Sequence, residues 1–201
     1  MPVPVLAALI IAICCATGHC TEPAKALQVT AFDLPDLTGK SHTIEDWKTA
    51  KLVVVVQLGT ECPVANSYLP GLNRSLEMWK KQGIVLIGVH SDPTVTLEDA
   101  RVHAREMQIG FPVLMDPRQV LARQTGATTI SEATLLSSDG TVCYRGRIND
   151  RYSTTGKRKE MAQVHDLQNA ITTVLAGQPV TPPTTKAFGC PLPKLTADKP
   201  R

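Results

Sequence analysis

Apolar residues run without alternation through Leu52-Val53-Val54-Val55-Val56-Gln57-Leu58 and again through Ile84-Val85-Leu86-Ile87-Gly88-Val89. Continuous β-branched runs of this kind fit strands buried on both faces, the pattern of a parallel sheet. Between them, Pro63 to Gln82 is helix-compatible, with Pro63 suited to the first helical position and Gly83 to a C-terminal stop. The three pieces predict a strand, a helix and a strand joined by a right-handed crossover. Beyond the second strand, Thr96 to Met107 is polar and helix-prone, and Thr96 with Asp99 can cap its start. Val113-Leu114-Met115 and Val120-Leu121-Ala122 predict a short strand and a short helix.

The pattern changes toward both ends. Leu27 to Trp47 alternates about an Asp36-Leu37-Thr38-Gly39 turn and predicts an antiparallel entry hairpin. Ala133 to Arg147 predicts a second hairpin with Asp139-Gly140 at its turn, in which Cys143 alternates with Val142 and Tyr144. From Gln163 to Ala176, Val164, Leu167, Ile171, Val174 and Leu175 fall at helical spacing, and Gly177 ends the run. Residues 178–201 hold six prolines in twenty-four positions and no hydrophobic period, which predicts an extended tail, lying on the surface or loose. Together the elements predict an α/β fold with a mixed central sheet, helices on both faces and an N-terminal hairpin extension.

A chain of 201 residues holds one ordinary domain. Its net charge of +3 and 19% charged residues leave neither an extended nucleic-acid face nor a disordered acidic tail, so no nucleic-acid partner is expected. The cysteines change the picture. Cys14, Cys15 and Cys20 fall in the first twenty residues, where residues 3–16 form one apolar run. That run is short for a bilayer span and suits a secretory signal, with Ala24-Lys25-Ala26 as its cleavage site. Residues 1–26 are therefore expected to be a signal peptide, with a retained membrane anchor through residues 1–20 as the alternative. The domain over 27–177 and its tail would then be secreted or held at the cell envelope. Cleavage after Ala26 leaves Cys62, Cys143 and Cys190, and an odd count in an oxidising compartment leaves one thiol unpaired or joined to another molecule.

Gly59-Thr60-Glu61-Cys62-Pro63 places a cysteine between a buried strand and a helix. Free N–H groups and the helix dipole at such a point favour an anion, which lowers a thiol pKa and makes it a nucleophile. A small buried core thiol is the alternative. Glu61 and Thr60 flank it and can relay a proton or donate a hydrogen bond.

From Leu27 to Gly177 the chain resembles the thioredoxin superfamily, in particular bacterial cell-envelope redoxins related to the TlpA and AhpC/TSA groups. The resemblance rests on Thr60 two before Cys62, Pro63 directly after it, Pro70 eight after it, Phe111-Pro112-Val113-Leu114-Met115-Asp116, Ser138-Asp139-Gly140 and Tyr144-Arg145-Gly146-Arg147. Residues 61–66 (ECPVAN), 144–152 (YRGRINDRY) and 187–191 (AFGCP) are similar to a subgroup described as redoxins or thiol-disulfide oxidoreductases. It implies a thioredoxin-like fold, a periplasmic location and Cys62 as the reactive thiol. Two positions depart from the family. Ala65 stands where a CxxC partner would be, and Ser131 stands where a cis-proline would face the cysteine. A non-proline cis bond costs about 2.5–4 kcal/mol, so a trans Ser131 and a reshaped loop are expected.

With no local partner, Cys190 on the tail becomes the candidate second thiol, either resolving Cys62 or locked to it as a staple worth roughly 5 kcal/mol for so long a loop. Cys143 is expected to be structural or inert. Redoxins of the peroxidase type use an arginine to stabilise the thiolate, and either Arg145 or Arg147, which share a strand face with Cys143, could do so, with a solvated strand edge as the alternative. His90 invites comparison with copper-delivering relatives, but their paired cysteines are missing, and neither metal nor cofactor is expected. His42, His103 and His165 show no ligand spacing. Six Lys or Arg between residues 145 and 159 could dock an acidic partner. The leading reading is a thiol-disulfide oxidoreductase acting on protein disulfides and recycled by an external thiol reductant. Because Thr60 stands two rather than three residues before Cys62, a thiol peroxidase acting on peroxide is the second reading. A non-catalytic binding module with a Cys62–Cys190 staple is the third.

Overall fold

The computed structural model describes residues 27–152 and 157–195. The expected signal or anchor segment over residues 1–26 lies outside them, and no helix among the described residues is long and apolar enough to cross a membrane.

The chain enters through the hairpin of β1 (Asp33–Pro35) and β2 (Ser41–Thr43), whose turn is closed by the Asp36 carboxylate accepting from the Thr38 and Lys40 N–H groups. The first apolar run is β3 (Leu52–Leu58), buried at every residue. It leads into α1 (Pro63–Lys81), which carries Pro70 inside it and stops at Gly83, whose φ of +79° a side chain would oppose. The second run is β4 (Ile84–His90), parallel to β3 with Leu52 opposite Ile84 and Leu58 opposite His90. Then come α2 (Leu97–Glu106), β5 (Val113–Met115), α3 (Val120–Thr125), β6 (Ala133–Ser137), β7 (Val142–Gly146) and α4 (Asp166–Leu175).

The five-stranded sheet has the order β5-β4-β3-β6-β7, with β3, β4 and β5 parallel and β6 and β7 antiparallel to their neighbours. This is the mixed thioredoxin-like sheet that the order of elements predicts. Because β3 is central, both of its faces need apolar cover. Val54, Val56 and Leu58 meet Leu69, Leu72 and Trp79 of α1 and Leu167 and Ile171 of α4. Val53 and Val55 face the other way, onto Phe32, Trp47, Ile87 and Leu121. Each such side chain contributes about 1.5–3 kcal/mol on burial, which is why the run tolerates no polar alternation.

Two local expectations differ from the structure, and a third, left open between a surface-bound and a loose tail, is resolved. The last helix begins at Asp166 rather than Gln163, because the Asp150 carboxylate takes the N–H groups of Gln163 and Val164 and holds them outside the helix. In the second hairpin a bulge at Cys143 pairs Val142 with Leu136 and Tyr144 with Leu135, so Val142 and Tyr144 face opposite sides of the sheet. The tail is not loose where it is described. Pro183 to Thr185 pair with Arg145 along the outer edge of β7, and Cys190 to Leu192 pair with Thr128 to Ile130.

Candidate active site at Cys62

Where β3 runs out, the main chain turns through Gly59, Thr60 and Glu61 and sets Cys62 at the cap of α1. The turn is tight. The Cys62 N–H donates to the Gly59 carbonyl at 3.3 Å, and a Cβ on Gly59 would stand 2.7 Å from Cγ2 of Ile130. Cys62 has extended backbone geometry, and its side chain makes no capping bond to the N–H groups at the positive end of a 19-residue helix. A helix terminus favours a thiolate by about 0.3–1 kcal/mol at an exposed site and more where solvent is excluded. Here Cys62 is 2% exposed, packed in a small apolar cluster with Ala65 and Ile130 and touched by Val64, Cys190 and Leu192.

The tail brings Cys190 to this cluster. The Ile130 N–H donates to the Cys190 carbonyl at 2.8 Å, the Leu192 N–H to the Thr128 carbonyl at 2.8 Å, and the Ser131 hydroxyl to the Phe188 carbonyl at 2.9 Å. Further along, the Gln119 amide donates to the Pro193 carbonyl. The approach is close enough that a Cβ on Gly189 would lie 2.1 Å from the Ile130 carbonyl oxygen. Cys190 is therefore pinned on both sides of its own residue. Cys62 and Cys190 are both free thiols. The Cys190 thiol is pushed up, first by its hydrogen bond to Cys62 and then by burial.

Ser131 explains why the tail fits. Among the described residues the one cis peptide bond is Thr181–Pro182, so the peptide before Ser131 is trans, and Ser131 adopts a φ of +87°. Its N–H is held by the Gln57 carbonyl at 2.8 Å while its hydroxyl reaches Phe188. The reshaped loop offers Thr128 to Ile130 as an edge, and the tail occupies it.

Cys62 and Cys190 open onto a cleft of about 630 Å³. Thr60 and Glu61 line it with them, so the structure brings together four of the five candidate residues. Its described walls carry four carboxylates, Glu61, Asp92, Asp99 and Glu106, and no Lys or Arg. The fifth candidate, Arg145, lies elsewhere: its guanidinium hydrogen-bonds the Gly126 carbonyl and pairs with Glu132 at 3.3 Å. Arg147 pairs with Asp166 at 2.7 Å, and Lys159 pairs with Asp150, so part of the expected basic surface is engaged internally. Burial pushes the Cys143 thiol up. His90 is fully buried, both ring nitrogens lack partners, and burial pushes its pKa down to about 4. No group of three or more potential metal ligands occurs among the described residues.

Sequence reasoning gave no role to Asn66 or Gln119 and weighed His103 only as a metal ligand. The Asn66 amide donates to the Thr60 carbonyl at 3.1 Å and its oxygen meets Nε2 of His103 at 2.9 Å, while its backbone N–H donates to the Cys62 carbonyl at 3.0 Å. The four-residue spacing from Cys62 to Asn66, one helical turn, was a readable signal. His103 and Gln119 are set by helix packing and tail docking, and no local spacing announces them.

A model of the AhpC/TSA family matches residues 11–145. The thiol-disulfide oxidoreductase ResA of Geobacillus thermodenitrificans is 25% identical over 55% of this chain, and the match spans 62% of that protein's own length. Among solved structures, a hypothetical protein from Sinorhizobium meliloti superposes with a TM-score of 0.72 at 24% identity, covering 83% of this chain and 92% of that one. A putative thiol:disulfide interchange protein DsbE from Chlorobium tepidum superposes with a TM-score of 0.60 at 21% identity, covering 76% and 98%.

Proposed function

The chain belongs to the AhpC/TSA family of thioredoxin-superfamily redoxins, and we propose that it is a cell-envelope thiol-disulfide oxidoreductase in which Cys62 attacks and Cys190 resolves. The observation that carries the reading is the packing of Cys190 against Cys62 in one apolar cluster, with the Cys190 backbone held by Ile130. The Cys62 thiolate attacks a substrate disulfide, forming a mixed disulfide and releasing one substrate thiolate, which takes up a proton. Cys190 then loses its proton and attacks Sγ of Cys62, releasing the second substrate thiol and leaving a Cys62–Cys190 disulfide. Two electrons have passed from the protein to the substrate, and an external thiol reductant returns them. The lack of Lys and Arg among the described residues lining the cleft favours this over peroxide chemistry, where an arginine would be wanted beside the thiolate. The apolar run at residues 3–16 supports envelope placement.

The test is stoichiometric. Reduced full-length protein mixed with a model disulfide should lose two thiols and gain a Cys62–Cys190 bridge by mass mapping, Cys62→Ser should do neither, and Cys190→Ser should stop at the mixed disulfide. A bridge that resists millimolar thiol identifies a staple instead, and turnover with peroxide alone identifies a peroxidase.

A further inference from the structure

The segment after the reactive cysteine holds a polar residue that the exchange chemistry leaves unused. Asn66 lies one turn into α1, and its amide is used at both ends: Nδ2 donates back to the Thr60 carbonyl at 3.1 Å, and Oδ1 lies 2.9 Å from Nε2 of His103 on α2. The donation to a carbonyl fixes which end of the amide is nitrogen, and so requires His103 to donate from Nε2. The bare Nδ1 of His103 is buried without a partner, and the ring rests edge-on against His90 at 5.3 Å. His103 is 3% exposed, and it belongs to the wall of the cleft that Cys62 opens onto.

We propose that Asn66 and His103 are positioning residues that set the reactivity of Cys62 by holding the Thr60 carbonyl away from its sulfur. A carbonyl dipole turned toward a thiolate raises that thiolate's energy, whereas one consumed by the Asn66 amide leaves the helix N–H groups as the sulfur's nearest dipoles. His103 is needed because an amide held at one end only is free to rotate. Its neutral form serves the purpose, and burial lowers its pKa accordingly. The groups facing His103 are Asn66 of α1, His90 of β4 and, along its own helix, Glu106, with Glu61, Asp92, Asp99, Cys62 and Cys190 around the cleft.

The inference rests on Cys62 being the reactive thiol, and the experiment separates the two. Pre-reduced full-length protein is alkylated with iodoacetamide from pH 5 to pH 10, and Cys62 modification is followed by peptide mass. Asn66→Ala should raise the apparent Cys62 pKa by about one unit and slow alkylation at pH 7 about tenfold. His103→Leu should do the same, and His103→Gln, which restores an N–H toward Oδ1, should return the profile toward wild type. Alanine is a good helix former, so Asn66→Ala keeps the test valid if His103→Leu fails to fold. Unchanged profiles in both variants overturn the proposal, and a shift in Asn66→Ala alone overturns the role of His103. A Cys62 that fails to react in the wild-type chain at every pH overturns the functional reading instead.

Discussion

Gly189 offers the sharpest perturbation of the proposed cycle. A Cβ there would stand 2.1 Å from the Ile130 carbonyl oxygen and 2.8 Å from the Ser131 hydroxyl, and the first of these is backbone that cannot swing aside. In Gly189→Ala the tail must lift. Lifting it removes the Ile130-to-Cys190, Leu192-to-Thr128 and Ser131-to-Phe188 hydrogen bonds. At about 0.5–1.5 kcal/mol each, the loss comes to roughly 1.5–4.5 kcal/mol of local docking. Since about 1.4 kcal/mol is a factor of ten, Cys190 should be presented to Cys62 one to three decades less often. The assay uses an aromatic disulfide that releases a coloured thiolate: the first equivalent reports attack by Cys62, and the second reports resolution by Cys190, in a Cys143→Ser background. Gly189→Ala should leave the first phase intact or faster, since the tail no longer covers a cysteine that is 2% exposed, and should slow the second at least about tenfold. Global stability should move little, because Val180, which packs on the core, and Pro183 to Thr185, which pair with β7, lie before the lifted segment. A second phase within twofold of wild type would refute the argument that tail docking presents Cys190.

Other perturbations probe the surrounding structure. His90 has a folded pKa of about 4 against 6.5 when free, so the unfolded chain binds more protons between these values and stability falls as pH drops through that window, by about 3 kcal/mol at full protonation; denaturant titrations from pH 7 to pH 4 should show this, and His90→Leu should flatten the slope, whereas an unchanged slope points to other carboxylates or histidines. Arg145→Gln should cost about 1–3 kcal/mol in urea by leaving the buried Glu132 carboxylate without its guanidinium, with thiol exchange unaltered; exchange lost in a protein of normal stability would show that Arg145 reaches the thiolate. Asp116 is fully buried and accepts the N–H groups of Val120, Leu121 and Ala122, so Asp116→Ala should lower stability by about 2–4 kcal/mol and expose the amides of the α3 region to rapid hydrogen exchange. If those amides stay protected, the aspartate is not what holds that helix.

Most of the fold was legible because its signals are local. The seven residues of β3 bury both faces and therefore show no alternation, the Thr96 and Asp99 cap lies within four positions, and Asp139-Gly140 dictates its own turn. Cys62 was legible for the same reason, since a cysteine between a strand end and a helix-starting proline carries its electrostatics in a five-residue segment. Tertiary structure decided what depends on distant partners. The Asp150 carboxylate delays α4 from across a loop, and a bulge breaks the alternation around Cys143. Arg145 finds Glu132 instead of the cleft. The tail, compositionally a loose segment, is ordered by an edge at Thr128 to Ile130 that exists only once Ser131 has taken its positive φ. Sequence alone therefore determined which cysteine caps a long helix, because the strand end and the helix-starting proline lie beside it in the chain. Only the tertiary structure decided which sulfur meets it and which side chains hold its turn, because those hydrogen bonds join residues far apart in the chain and form only when the sheet, α2 and the tail are in place.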